Sequence, residues 1–243
     1  MDGEKNGSVD LGEEEDIIQN IGAVAFEGGA DTSFSTILGI LTALALNPGV
    51  VAKAHAELDA VVGASRFPDF SDRVALVYVS AIVLEGLRWH NVAPLGAPHY
   101  TMTDDELDGL FIPAGTIVIA NTWACLHDPE AYPDPEQFRP ERFISDGQLD
   151  KSVRDPTAFA FGYGRRICPG RHFAVDSIFI NIASILHVFD VTPPVDDNGR
   201  PVNVVYEATE GIISYPVDSR CTIKPRSAQA ERLIRSQNTK AEV

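Results

Sequence analysis

The sequence predicts a mainly α protein carrying small antiparallel β-sheets, and three observations lead there. Apolar residues recur at helical spacing in four long stretches, 16–46, 48–62, 71–90 and 170–189. Around them, short alternating runs are punctuated by Asp108-Gly109, Pro113-Ala114-Gly115 and Asp197-Asn198-Gly199, the chemistry of tight turns between short strands. The 243 residues, 44% apolar, suffice for one large domain with a real core.

A formal charge of −16 disfavours nucleic acid and anionic membrane surfaces as partners. Residues 1–15 are polar, acidic and dotted with glycine, and are expected to form a disordered tail. Cys125, Cys168 and Cys221 show no pairing pattern and suit a reducing compartment. The longest apolar run, 37–46, is too short to cross a bilayer, so no signal peptide or membrane span is expected.

The first helical stretch, 16–46, would be roughly 45 Å long, enough to traverse a domain. Its middle, Gly28-Gly29-Ala30-Asp31-Thr32-Ser33, sets two glycines and two hydroxyl residues in a helix, which predicts a kink or a close helix contact. Asn47 and Pro48 read as the cap and first turn of a second helix ending at Gly63, with a loop over 64–69. The third helix is predicted over 71–90. Within it Glu85 and Arg88 stand three apart on one face among apolar neighbours, so they read as a buried pair needing further hydrogen bonds. Arg142 is the candidate third member.

Residues 94–99 read as extended chain, followed by short strands ending with one over 116–120. The proline- and aromatic-rich 121–142 is predicted to be an ordered, irregular loop. The last helix, about 170–189, is expected to bury Phe173, Ile178, Ile182, Ile185 and Leu186. Short strands fill 191–225, and 227–243 is expected to fray. The domain is thus placed at 16–226.

The densest chemistry lies at 159–173, FAFGYGRRICPGRHF. Cys168 stands among Gly162, Gly164 and Gly170, with Pro169 suited to a helix first turn. That puts the thiol beside a helix N-terminus, which favours the thiolate. Arg165 and Arg166 precede it, and guanidinium groups clamp carboxylates well. A thiolate so placed is what an axial haem ligand requires.

The pattern Phe161-x-x-Gly164-x-Arg166-x-Cys168-x-Gly170 resembles the haem-binding loop of the cytochrome P-450 family. Gly28-Gly29-x-Asp31-Thr32 resembles that family's oxygen-binding helix, and Glu85-x-x-Arg88 with Arg142 its structural triad. The resemblance runs from about 16 to 225, the C-terminal half of that fold. Leu87-Arg88-Trp89-His90 and Ile223-Lys224-Pro225-Arg226-Ser227 look most like fungal microsomal members. Gly86 within the third helix, Val77 at its start and Asn91 after His90 depart from the usual pattern.

The resemblance implies heme b with Cys168 as axial thiolate, and haem contacts from Phe161, Gly162, Gly164, Arg166, Gly170 and His99. It implies an acid–alcohol pair, Asp31 and Thr32, delivering protons to O2. It implies a substrate pocket lined by Ala25, Pro94, Leu95, Gly96, Ile212 and Ile213, with Glu85, Arg88 and Arg142 holding the fold. The implied activity is monooxygenation of a small lipophilic organic substrate, with electrons from NADPH through a flavoprotein reductase, at the cytosolic face of the endoplasmic reticulum. Without the family's N-terminal half the chain would lack its membrane anchor, be cytoplasmic, and leave the apolar face of 16–46 exposed. A haem-thiolate isomerase or dehydratase, and a truncated, catalytically inactive haem-binding remnant, are the alternative readings.

Overall fold

In the computed structural model, residues 11–241 are described. Helix α1 (Leu11–Leu46) begins five residues earlier than predicted, so 11–15 belong to a helix and not to a tail, while 1–10 lie outside the described residues. α1 continues unbroken through Gly28-Gly29, contrary to the predicted interruption. The reason is local: Thr32 Oγ1 donates to Gly28 O at 2.8 Å, so the hydroxyl joins the ladder without breaking it. Nothing lies within 4 Å of a β-carbon built at either glycine, so they serve no close helix contact.

Only the second half of α1 is core. Ile40, Ala43 and Leu44 are fully buried, at the i, i+3, i+4 spacing of one helix face. They join α2 (Pro48–Val61), α3 (Val77–Trp89) and α6 (Arg171–Val188) in one cluster with Leu58, Val79, Ile82, Ile178, Ile182 and Leu186. Each such side chain contributes roughly 1.5–3 kcal/mol by leaving water. Residues 14–31 are exposed throughout, with Phe26 at 78%. The stretch Glu14–Leu46 has the length and composition of a membrane span, but half of its apolar window is buried inside the protein.

α2 starts at Pro48 as predicted, although Asn47 sends its side-chain amide back to Ala43 O and makes no side-chain cap. α3 starts at Val77, not near 71. Residues 70–72 instead form a 3-10 turn in which Asp69 and Asp72 cap one another's backbone and Asp72 is clamped by Arg66. The orphan N–H groups of Tyr78 and Val79 are taken by the Glu57 carboxylate of α2, at 2.6 and 3.0 Å, a negative charge at a helix start.

Behind α3 the predicted triad forms. Arg88 Nε and Nη2 reach the two Glu85 carboxylate oxygens at 2.7 and 2.8 Å, and Arg142 Nε lies 3.1 Å from the same carboxylate. Glu85 and Arg88 are fully buried. Backbone groups complete the shell: Arg139 N–H donates to Glu85, and Arg88 donates to Leu126 O and Gln137 O. These bonds offset the desolvation of a buried pair.

Four two-stranded antiparallel sheets decorate the helices. β1 (His99–Tyr100) pairs with β4 (Ile117–Val118), and β2 (Asp105–Leu107) turns at Asp108-Gly109 into β3 (Leu110–Ile112). The irregular 121–142 holds one unpredicted helix, α4 (Thr122–Leu126), capped by the Asn121 side chain on Ala124 N–H. β5 (Ile144–Ser145) and β6 (Gln148–Leu149) precede α5 (Thr157–Ala160). β7 (Phe189–Thr192) pairs with β8 (Thr222–Pro225). The expected frayed end is instead a helix, α7 (Ala228–Ala241), whose Ala230 is buried against the body of the protein.

Candidate active site

The Cys168 loop is built from backbone. Cys168 N–H donates to Phe161 O at 2.8 Å, pinching the chain around Gly162 (φ 76°) and Gly164 (φ 57°). Both glycines occupy the left-handed region, where a β-carbon costs roughly 1–2 kcal/mol. Gly170 has ordinary φ and matters by proximity: a β-carbon there would lie 3.9 Å from Cys168 Sγ. Phe161 packs against the main core and anchors the loop. Pro169 lies before the N-cap Gly170, outside the helix first turn where the sequence placed it. Phe173, expected in the core, is 77% exposed, whereas Val175 two residues on packs against the core, so Phe173 lies on the outward side of the first turn of α6.

Cys168 is partly buried, and among the described residues its sulfur has no hydrogen-bond partner. Arg166 and His99 are exposed and pair with no acid among the described residues. A soft sulfur donor with a free lone pair, a glycine loop beside it, and a guanidinium and an imidazole without acidic partners among the described residues are a donor set that fits a haem and its two carboxylates.

Three further segments converge on this loop. Gly96 is within reach of Thr122 on α4, since a β-carbon there would stand 3.7 Å from Thr122 Oγ1. Thr122 Oγ1 in turn lies 3.3 Å from Tyr163 OH in the Cys168 loop, and Trp123 N–H donates to Pro94 O at 2.9 Å. Residues 94–96 are thereby tied to the loop through α4. On their other side, Ser214 N–H donates to Val92 O, which brings in the turn carrying Ile212 and Ile213. That turn reaches α1 through Ser35, whose hydroxyl donates to Ser214 O.

Ser35 of α1, the 212–214 turn, residues 92–96, α4 and the Cys168 loop are thus linked in one series of contacts, with Asp31 and Thr32 one turn before Ser35 on α1. Ala25 is not: it sits on the exposed half of α1. Leu95 and Ile212 are exposed, at 53% and 75%, while Pro94 and Ile213 are partly covered. Sequence reasoning missed α4, the buried polar residues Ser35 and His90, and the half-buried Tyr206. Their partners are 55 to 179 positions away, a separation that leaves no local pattern.

Comparison with known proteins identifies the family. The family model described as Cytochrome P450 matches residues 2–207. The chain is 43% identical over 218 residues to cytochrome P450 monooxygenase COX1 of Coprinopsis cinerea, covering 90% of this chain and 42% of that protein. It is 45% identical to COX2 of the same fungus, over 93% of this chain and 43% of the relative. It is 46% identical to cytochrome P450 monooxygenase 208 of Postia placenta, over 91% and 43%. The chain therefore spans less than half the length of these relatives. With 206 of its residues inside the family match, the chain belongs to the cytochrome P450 family.

Proposed function

We propose that this chain forms the haem-thiolate part of a monooxygenase that inserts one atom of O2 into a small lipophilic organic substrate. The observation that carries the proposal is Cys168, a partly buried sulfur with no protein partner, held by the bond to Phe161 O in a loop shaped by Gly162 and Gly164. Haem, when bound, supplies the reductive activation of O2 and the oxygen transfer. Cys168 would hold the haem as its thiolate ligand, a soft and electron-rich donor. Arg166 and His99 hold the two carboxylates of the cofactor.

Asp31 and Thr32 hold and move the proton. Thr32 Oγ1 donates to Gly28 O, which leaves its lone pairs as acceptors and fixes where the hydroxyl stands. Asp31 is exposed and can exchange protons with water, a general-acid relay toward Thr32. Leu95, Ile212 and Ile213 supply apolar surface that excludes water and orients a lipophilic substrate. The monooxygenase names of the fungal relatives support oxygen insertion, and the reading is completed by electrons from NADPH through a flavoprotein reductase at the cytosolic face of the endoplasmic reticulum.

The deciding experiment is the carbon monoxide difference spectrum of the reduced, haem-reconstituted protein. A strongly red-shifted Soret band that Cys168→Ala abolishes is the expected result. A band typical of histidine ligation, or one unaltered by the substitution, removes Cys168 as ligand. Absence of any band favours the inactive-remnant reading.

A further inference from the structure

Ser214 joins three walls of the candidate site. Its N–H donates to Val92 O at 2.8 Å, its carbonyl accepts from Ser35 Oγ, and its hydroxyl donates to Thr209 O at 3.0 Å. Val92 leads into 94–96, Ser35 lies one turn beyond Asp31 on α1, and Ser214 follows Ile212-Ile213 in the chain. Ser35 is held in turn by His90 Nε2 at 2.9 Å, and His90 Nδ1 by Tyr206 OH at 2.7 Å. Ser35, His90 and Ser214 are all buried, in a place where polar groups are kept only when each is satisfied.

Counting donors and acceptors gives this series one direction. Ser35 has a single hydroxyl proton, and the Ser214 carbonyl can only accept, so that proton goes there. Ser35 Oγ therefore accepts from His90 Nε2–H. A neutral imidazole protonated at Nε2 has its lone pair on Nδ1, which accepts from Tyr206 O–H. Burial draws the His90 pKa down to about 4, so the ring is neutral as the count requires. The ring seats against Gly39, where a β-carbon would approach it to 2.4 Å, and Tyr206 stacks on Trp89 with centroids 3.9 Å apart.

We propose that the directed chain Tyr206, His90, Ser35, Ser214 is a strut fixing the distance between the Asp31-Thr32 turn of α1 and the Ile212-Ile213 tip. Ser35, His90 and Tyr206 are thereby positioning residues that select substrates by size. Ser35 and His90 are buried and Tyr206 is partly covered against Trp89, so they act by locating residues that touch the substrate. This role rests on the functional reading above, because only a pocket between α1 and 212–213 gives their separation a consequence.

The test uses the haem-loaded full chain and two variants, Ser35→Ala and Tyr206→Phe, each of which removes one oxygen and keeps the packing. Amide hydrogen exchange is read across 209–217 and across 79–88 of α3. Imidazole and the bulkier 1-phenylimidazole are titrated by their Soret shifts. Exchange at 209–217 is expected to rise about 10-fold, the factor matching one lost buried hydrogen bond, with α3 unchanged. The ratio of 1-phenylimidazole to imidazole affinity is expected to change by roughly 5-fold or more while imidazole itself binds as before.

Unchanged exchange at 209–217, acceleration spread equally over α3, or an unaltered affinity ratio each overturns the proposal. Failure of the functional reading looks different. An unmodified protein without a cysteine-ligated Soret band removes the size-selecting role, and the exchange measurement on the haem-free chain still decides whether the strut exists.

Discussion

Gly86 of α3 faces Ile40 of α1 so closely that a β-carbon on Gly86 would lie 2.3 Å from Ile40 Cγ1. A glycine that weakens the helix by roughly 1 kcal/mol is thus the residue that lets two core helices meet. Gly86→Ala is expected to lower stability by about 1–3 kcal/mol despite its better helix propensity, because both side chains are enclosed. Urea unfolding measures it. A stabilised variant would mean that α1 and α3 are free to separate.

Removing one member of the triad should cost more than removing all its charge. Arg88→Ala leaves Glu85 buried with only Arg142 and one backbone N–H, and a loss of about 3–5 kcal/mol is expected. Arg88→Lys is expected to fall between wild type and alanine, since an ammonium cannot span both carboxylate oxygens and two carbonyls. Thermal unfolding of the three proteins orders them; a lysine variant equal to wild type would contradict the need for the fork.

Acid should destabilise the fold above the range where carboxylates protonate. His90 is neutral in the fold, its pKa drawn to about 4 by burial, whereas in the unfolded chain it titrates near 6.5. Between these values the unfolded state binds more protons, so stability rises with pH and is fully present above about 6.5. About 2 kcal/mol is expected to vanish between pH 7.5 and 5 from this group. His55, His127 and His187 are shifted down by burial too and act in the same direction. Urea midpoints across that range test it, and His90→Gln should flatten the slope.

Thr32→Ala removes a hydroxyl that stands on a helix already closed by its backbone bonds. Stability is expected to change by less than about 0.5 kcal/mol, while product formed per NADPH consumed falls by roughly 10-fold or more if the hydroxyl holds the transferred proton. Equal coupling in wild type and variant would take Thr32 out of the mechanism.

Gly164→Ala places a β-carbon at φ 57° in open space, so its effect is backbone strain alone. A loss of roughly 1–2 kcal/mol in the loop is expected, read as weaker haem retention with the Soret position unchanged. A shifted Soret band would instead show that Gly164 controls the ligand itself.

Local chemistry was legible where neighbours in sequence are neighbours in space. The Phe161–Gly170 spacing, Glu85 with Arg88, and the Asp108-Gly109 turn all depend on residues a few positions apart, and all appear where the sequence places them. Helix limits were less legible. Nothing local tells that Glu57 would cap Val79 and so start α3 at 77, or that 228–241 would fold as a helix against the body.

By itself the sequence determined the mainly α class, the glycine-shaped Cys168 loop and the family, because these rest on short-range periodicity and on glycines at turns that only glycine makes well. Tertiary structure decided which half of α1 is core, which glycine is a contact and which a bystander, and that His90 is a buried neutral link from Tyr206 to Ser35. The physical reason is burial. Desolvation, close packing and the satisfaction of buried donors depend on what distant segments bring to a residue, and Ser35 and Ser214, 179 positions apart, meet only in the fold.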